Sequence, residues 1–353
     1  MIGPVLVIGQ GQLGLMLAAA GARLGITVDR LNPEESLLLP GTSDLAVATD
    51  LESLLARYPV ITAEREQLPD TALVRGLMAS TGFHNCAAFA RLPDRLTQKQ
   101  LLDELAIPTA AWHPLETRAD LDAAREALGG TLRAKLRSGG YDGRGQWRLT
   151  PEDSLPTLPA PAIIEKEQHF HREVSLVGAR SHDGTLTFFP LVENRHRDAI
   201  LSLTTAPAQN STAVQAQVED WLGRIMGALD YVGVMAMELF DTDEGLKVNE
   251  LAPRVHNSGH WTQQGASFSQ FDLHLWALCG LPCPKPEVSG VCAMLNLIGI
   301  EFDPQWLTLP HATVHWYGKD YRPGRKLGHI NVCADDHRQL SERLAEVRIR
   351  VGI

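Results

Sequence analysis

The sequence predicts a mixed protein: an open α/β sheet at the N-terminus, followed by a larger α+β region built on antiparallel strands. Three observations carry this. An apolar run over residues 5–8 passes through Gly9-Gln10-Gly11-Gln12-Leu13-Gly14 into a helical stretch, the strand–turn–helix opening of a parallel sheet. After Pro108 the short βα repeats give way to longer strands separated by turns. Residues 232–240 and 246–251 then read as a hairpin that carries an acid on each arm. A chain of 353 residues can bury a large core and divides into two or three units.

Taking the elements in order, the first strand leads to a helix over residues 15–24 and a second strand over 26–28. The GxGxxG spacing with Asp29 after the second strand fits a dinucleotide site, and it equally fits glycines that only bring helix and strand together. A short helix over 51–58 and a strand over 60–62 end at Glu64 and Glu66, acids placed where a parallel sheet lines its crevice. Asp94 caps an amphipathic helix over 95–105 that Ile107-Pro108 stops, which sets the first boundary at 94/95.

A strand over 131–136 carries Lys135 and opens into a loop with Gly139, Gly140, Gly143 and Gly145 among basic and polar residues. This is either a flap that brings backbone N–H groups to phosphate or a flexible surface hairpin, and it lacks the Gly-Lys-Ser/Thr of a Walker loop. The strand over 161–168 turns polar at Glu165, Lys166, Glu167 and Gln168, and a second strand begins at Glu173. An interrupted edge of that kind leaves backbone groups able to read an adenine, with Glu173 able to accept from ribose hydroxyls. Strands over 188–191 and 194–196 continue the sheet, and a helix over 221–229 packs on it.

In the hairpin, residues 241–245 read as the loop with Phe240 opposite Leu246. Alternation then puts Glu238 and Glu250 on one face as a diagonal pair, among Met and Val. Like charges there call for a cation, and an all-oxygen ligand set favours magnesium. A polar run, Arg254, His256, Asn257 and His260, follows the second arm. Near the end, Lys319, Arg322, Arg325 and Lys326 place four cations in eight residues, which suits a phosphomonoester or a solvated basic turn. The proline-rich stretch at Lys285-Pro286-Glu287 marks a second boundary.

Composition narrows the function. With 44% hydrophobic and 21% charged residues the chain is of soluble globular type, and a net charge of -10 excludes a nucleic-acid binder that works by bulk electrostatics. The N-terminal apolar run is too short for a signal peptide or a membrane span, so a cytoplasmic protein is expected. Five irregularly spaced cysteines read as reduced packing residues.

Residues 9–14, 94–100, 139–146, 173–178, 249–263 and 322–329 together resemble, in order and across nearly the whole chain, the 5-(carboxyamino)imidazole ribonucleotide synthetase family of ATP-grasp enzymes in bacterial purine biosynthesis. The resemblance implies an ATP-grasp fold: a Rossmann-like domain over 1–94, a central ATP-grasp domain over 95–285 and a small C-terminal domain over 286–353. It implies carboxylation of 5-aminoimidazole ribonucleotide by bicarbonate with ATP and Mg2+, through carboxyphosphate, by a homodimer. Position by position, Arg95 and Lys135 match phosphate contacts, Gly140, Tyr141, Asp142, Gly143, Arg144, Gly145 and Gln146 the flap, and Glu165 to Gln168 the adenine hinge. Glu173 matches the ribose acid, His196 and Asn249 further nucleotide contacts, and Glu238 and Glu250 the metal ligands. For the ribonucleotide the matches are Gln12, Leu13, Tyr141, Asp142, Arg144, Lys319, Arg325 and Lys326. Arg254, His256 and Asn257 match the place where bicarbonate and amine meet, and His256 and Asp142 are the residues that could take the amine's proton. The segments over 32–63 and after 331 depart from the pattern, with a shorter end than in many relatives. The formate-dependent glycinamide ribonucleotide transformylase of the same superfamily is the nearest alternative, and a nicotinamide-binding oxidoreductase the more distant one.

Overall fold

Four consecutive apolar residues with no polar alternation, Val5–Ile8, are all buried, as a strand covered on both faces must be. In the computed structural model, which describes residues 3–140, 143–154 and 156–353, this strand is the centre of the first sheet. Its strands are β1 (Val5–Ile8), β2 (Val28–Asn32), β3 (Leu37–Leu39), β4 (Val47–Ala48) and β5 (Val60–Ala63), in the order β4-β3-β2-β1-β5. The β2-β1-β5 core is parallel, and β3 and β4 add an antiparallel edge that the βα pattern did not announce.

The helix after β1 spans Gln12–Ala22 and so begins three residues before the first apolar-periodic position. The reason lies in Glu64, at the end of β5. Its carboxylate accepts from the Gly11 N–H and, at 2.7 Å, from the Gly14 N–H, satisfying donors of the first turn that have no partner within the helix. The turn accommodates that side chain only because it is glycine. Gly9 has φ +128°, and a Cβ there would stand 2.3 Å from Glu64 Cγ. Gly9→Ala is therefore expected to lower stability by about 2 kcal/mol or more, measured by urea unfolding. An unchanged midpoint would show that the turn can open.

The second sheet, β6 (Trp112–Leu115), β7 (Leu132–Leu136), β8 (Gln146–Leu149) and β9 (Ala162–Lys166), is antiparallel in the order β6-β9-β7-β8. A helix over Arg118–Leu128, started by a capping box between Thr117 and Asp120, covers it with Leu121 and Ala124 against Leu132, Ala134 and Ile164.

The third and largest sheet comprises β10 (Arg172–Arg180), β11 (Leu186–Phe188), β12 (Val192–Arg197), β13 (Ile200–Ala206), β14 (Gly233–Thr242), β15 (Gly245–Ala252), β16 (Val291–Ile298), β17 (Ala312–Trp316) and β18 (Lys326–Ala334). Its order is β15-β14-β10-β12-β13-β16-β18-β17, with β11 on β10. The strands beyond residue 286 thus belong to the same sheet as the acid hairpin, joined through Leu203 of β13 opposite Leu295 of β16. A helix over Thr212–Ala228 packs Leu222 and Ile225 among Leu176 and Met237 on one face. The buried helix Gln270–Leu278 fills the other face, between the sheet and Leu17 of the first helix.

All five cysteines are free thiols, and Cys292 and Cys333 face each other across β16 and β18. None of the described helices is long and apolar enough to cross a membrane.

Candidate functional site

The three sheets meet around one cavity of about 570 Å³. Its floor is the β14–β15 hairpin, whose register differs from the expected one. The pairing is shifted by one residue, with Phe240 opposite Lys247, and the strands pair further into the turn, with Thr242 opposite Gly245. In that register alternation alone would send Glu250 to the opposite face from Glu238. A β-bulge corrects this: Leu239 pairs with Val248 and Glu238 with Glu250, leaving Asn249 as the extra residue. The acids are therefore direct cross-strand partners rather than diagonal ones.

Their electrostatics differ. Glu250 Oε2 accepts from Arg95 Nη1 at 3.0 Å. Glu238 Oε1 lies 3.4 Å from His256 Nε2, and the charges of His196 and Lys326 act on it without offsetting its burial and Glu250. Burial, and then the charge of Glu250 opposite, push the Glu238 carboxyl up to about 7. This is a place where positive charge is missing. Among the described residues no three His, Cys, Asp or Glu side chains converge on a metal position. A cation held here would take two carboxylates from the protein and its other oxygens from a ligand or water, as magnesium does.

The bulge also aims Asn249, whose Oδ1 accepts from Lys135 Nζ at 3.1 Å. Lys135 in turn forms an ion pair with Glu165 Oε2 at 2.6 Å, and Lys99 Nζ lies 2.6 Å from Glu165 Oε1. Burial opposes a charge on Glu165, but the two ammonium groups outweigh it and draw the carboxyl down to about 2. The Glu165 side chain thus braces two lysines. Of the hinge it opens, the Lys166 and Glu167 N–H groups donate to Ala111 O and Thr131 O, so these two donors are not free as the interrupted edge had implied. Lys166, Glu167 and Gln168 border the cavity. Glu173 and His196 border it as a pair, Oε1 to Nδ1 3.1 Å, in which Glu173 more than offsets the burial that would lower the His196 pKa.

Arg95 also ties the flap to this floor, with Nη2 3.4 Å from Gly140 O. Gly139, Gly143 and Gly145 all have positive φ, which explains the glycine density of the loop. Gly143 and Gln146 border the cavity, whereas Gly140, Arg144 and Gly145 are not among the residues lining it. Tyr141 and Asp142 lie outside the described residues.

Beyond the acids, Arg254 grips Glu66 with both Nε and Nη2, at 2.8 and 2.9 Å. The first sheet thereby fixes a cation of the third. His256 is partly buried, and that burial, reinforced by Arg254 and Lys326, holds its pKa well below the usual value. The Asn257 amide is paired with that of Asn296, accepting at 2.7 Å.

At the far end, Gln12 and Leu13 border the cavity beside Glu64, and Gln12 Oε1 accepts from Lys319 Nζ. Burial and the nearby Arg325 bring Lys319 down to about 8. Lys326 lines the cavity, while Arg325 turns its Nη1 to Asp320 O at 2.9 Å. Both anchor points of a dinucleotide are spent within the fold. Glu64 fills the helix N-terminus, and Asp29 accepts from the Gly41 N–H, Arg57 and Tyr58 at 2.7, 2.9 and 2.6 Å. Residues that the sequence alone had not picked out include Lys99, Arg133 and the stacked pair Phe170 and Phe240. Only the apolar-then-polar switch at the end of β14 hinted at Phe240.

Comparison with known proteins agrees with this architecture. Residues 100–271 match the model of the ATP-grasp domain, and residues 292–343 that of the phosphoribosylaminoimidazole carboxylase C-terminal domain. The chain is 48% identical over 346 residues to the N5-carboxyaminoimidazole ribonucleotide synthase of Escherichia coli, covering 96% of this chain and 93% of that one. It is 42% identical to the Haemophilus influenzae enzyme of the same name, over 97% and 92% of the two chains. Among solved structures, the N5-carboxyaminoimidazole ribonucleotide synthetase of Thermus thermophilus superposes with a TM-score of 0.87 at 38% identity, covering 98% of each chain. The Aspergillus clavatus N5-carboxyaminoimidazole synthase, solved with ADP and 5-aminoimidazole ribonucleotide, gives 0.86 at 30% identity over 99% of each chain. The chain belongs to the N5-carboxyaminoimidazole ribonucleotide synthase family, ATP-dependent ligases of the ATP-grasp fold.

Proposed function

We propose that this protein carboxylates 5-aminoimidazole ribonucleotide with bicarbonate at the expense of ATP, releasing ADP and phosphate. The observation that carries the reading is that one cavity joins two different anion sites. Lys135, Arg95 and the acid pair form one, Gln12, with Lys319 on it, forms the other, and Lys326, whose charge reaches both Glu238 and Lys319, lies between them. The first suits a triphosphate and the second a phosphomonoester.

Bicarbonate is a poor electrophile, so the chemistry divides in two. An oxygen of bicarbonate takes the γ-phosphoryl group to give carboxyphosphate. The exocyclic amine then attacks its carbonyl carbon, phosphate leaves, and the amine loses a proton. Lys135 and Arg95 neutralise the charge on the phosphates, and Arg254, held in place by Glu66, supplies a fixed cation beside the reacting carboxyl group. Glu238 and Glu250 would hold magnesium, which when bound neutralises phosphate oxygens and orients them. The flap over 139–146 excludes water from an intermediate that water would destroy. The same reading has a three-part chain divided at 94/95 and 285/286, acting as a cytoplasmic homodimer.

Phosphate release from ATP tests it. Release is expected to need both bicarbonate and 5-aminoimidazole ribonucleotide, and to be absent with formate and glycinamide ribonucleotide. ATP hydrolysis indifferent to the aminoimidazole would sink the assignment.

A further inference from the structure

A line of buried polar groups runs through the large sheet and ends on His256. Thr204, Ser175 and Ser258 are fully buried and Asn194 is 4% exposed. The hydroxyl of Thr204 donates to Asn194 Oδ1 at 2.8 Å, which orients that amide. Asn194 Nδ2 then donates to Ser175 Oγ, and the Ser175 hydroxyl to Ser258 Oγ, each at 2.8 Å. With its oxygen already accepting, Ser258 turns its own hydroxyl proton to His256 Nδ1, 2.9 Å away. The direction of the line is fixed independently at its end. The Ser258 backbone N–H also points at His256 Nδ1, at 3.3 Å, and an amide N–H can only donate. Nδ1 is therefore an acceptor, and the proton of the neutral ring sits on Nε2, the nitrogen that faces Glu238 Oε1 and the cavity.

We infer that Thr204, Asn194, Ser175 and Ser258 are positioning residues that lock His256 in its Nε2–H tautomer, so that His256 donates a hydrogen bond to an anionic oxygen in the cavity and does not accept the amine's proton. The inference rests on the reading of the cavity as the site of ATP and bicarbonate. Its physical sense is that of a second layer in which one hydrogen bond decides what the other ring nitrogen does. The basic nitrogen of the ring is turned into the protein and occupied twice. A group held that way costs no reorganisation when charge develops on a phosphoryl or carboxyl oxygen.

The experiment has two readouts on the full-length protein. Long-range 15N–1H correlation spectra of the histidine side chains, assigned with His256→Gln, are expected to place the His256 proton on Nε2. In Ser258→Ala the Nδ1 resonance should shift toward that of a weakly bonded nitrogen. In the turnover assay, Ser258→Ala should lower kcat about tenfold with KM for ATP nearly unchanged, and Ser175→Ala should act in the same direction with a smaller effect. His256→Gln, whose amide can donate from about the position of Nε2, should keep roughly tenfold more activity than His256→Ala. A proton found on Nδ1 overturns the inference, as does equal loss in the Gln and Ala variants of His256. So does a Ser258→Ala protein with wild-type spectrum and kcat, and Ser175→Ala provides the same test if that variant fails to fold. Failure of the functional reading looks different: wild-type turnover would then lack dependence on bicarbonate, while the spectra would still report the tautomer.

Discussion

Glu238→Gln is expected to make the ligand-free protein more stable and to abolish its turnover. The Glu238 carboxyl is raised from 4.5 to about 7 by burial and by Glu250, so the folded protein binds this proton more tightly than the unfolded chain does. Stability is thus unaffected by the group below pH 4.5, falls as pH rises through the interval from 4.5 to about 7, and stays reduced above it. The side chain keeps 21% exposure, so the full shift is discounted, to a penalty of roughly 2 to 3 kcal/mol at pH 8. Gln removes the charge and the penalty together. Urea unfolding should show the variant ahead of wild type at pH 8 and level with it near pH 4. Magnesium with ADP should stabilise wild type and leave the variant almost unmoved, while turnover falls at least about a hundredfold. A variant less stable than wild type at pH 8, or one that still turns over, would remove the strained acid pair as the floor of the site.

Glu165→Gln is expected to act in the opposite sense. Its carboxylate is almost wholly buried and is the shared partner of Lys99 and Lys135. Removing it leaves two ammonium groups close together without compensation, at a cost of about 3 to 5 kcal/mol. The Glu165 carboxyl is depressed from 4.5 to about 2, so its contribution is complete above pH 4.5 and is lost as pH falls toward 2. The gap between wild type and variant should therefore be flat across neutral pH and close only in acid. Lys135 loses its brace in the same variant, so KM for ATP should rise. Adding Lys99→Met should recover part of the stability, because one of the two stranded charges goes with it. A loss below about 1 kcal/mol in Glu165→Gln would mean that the lysines find other partners.

These two acids also mark how far the sequence could be read. Period-two alternation predicted that Glu238 and Glu250 share one face, and the hairpin and its charge repulsion were legible from the residues alone. The register was not. A bulge at Asn249 carries no residue signature, and the shifted turn and the bulge each move Glu238 one residue along β15, from Val248 to Asn249 to Glu250, so the same face was reached by a different route. Glu165 was read as part of a nucleotide hinge because it ends an apolar strand. Its two lysines lie 30 and 66 residues away in the chain and meet it only when β7 pairs with β9 and the helix over Arg95–Glu104 docks beside them. The glycine turn at Gly9 reads the same whether its amides meet a phosphate or an internal carboxylate, and only the β1–β5 pairing brings Glu64 there. Likewise, a proline-rich stretch at Pro286 looks like a linker in sequence, yet the strands on either side of it hydrogen-bond in one sheet.

The bulge at Asn249 has a further consequence for which changes in length this hairpin can absorb. Asn249 is the one residue of β15 without a partner on β14, so its deletion takes out the irregularity and leaves Glu238 and Glu250 opposite each other. What disappears is the oxygen that receives Lys135. Loss of Val248 instead would drag Asn249 into the apolar slot that Val248 fills. In related chains, β15 can therefore shorten by one residue at a single point without parting the acids, and such a shortening would register first in how Lys135 is held.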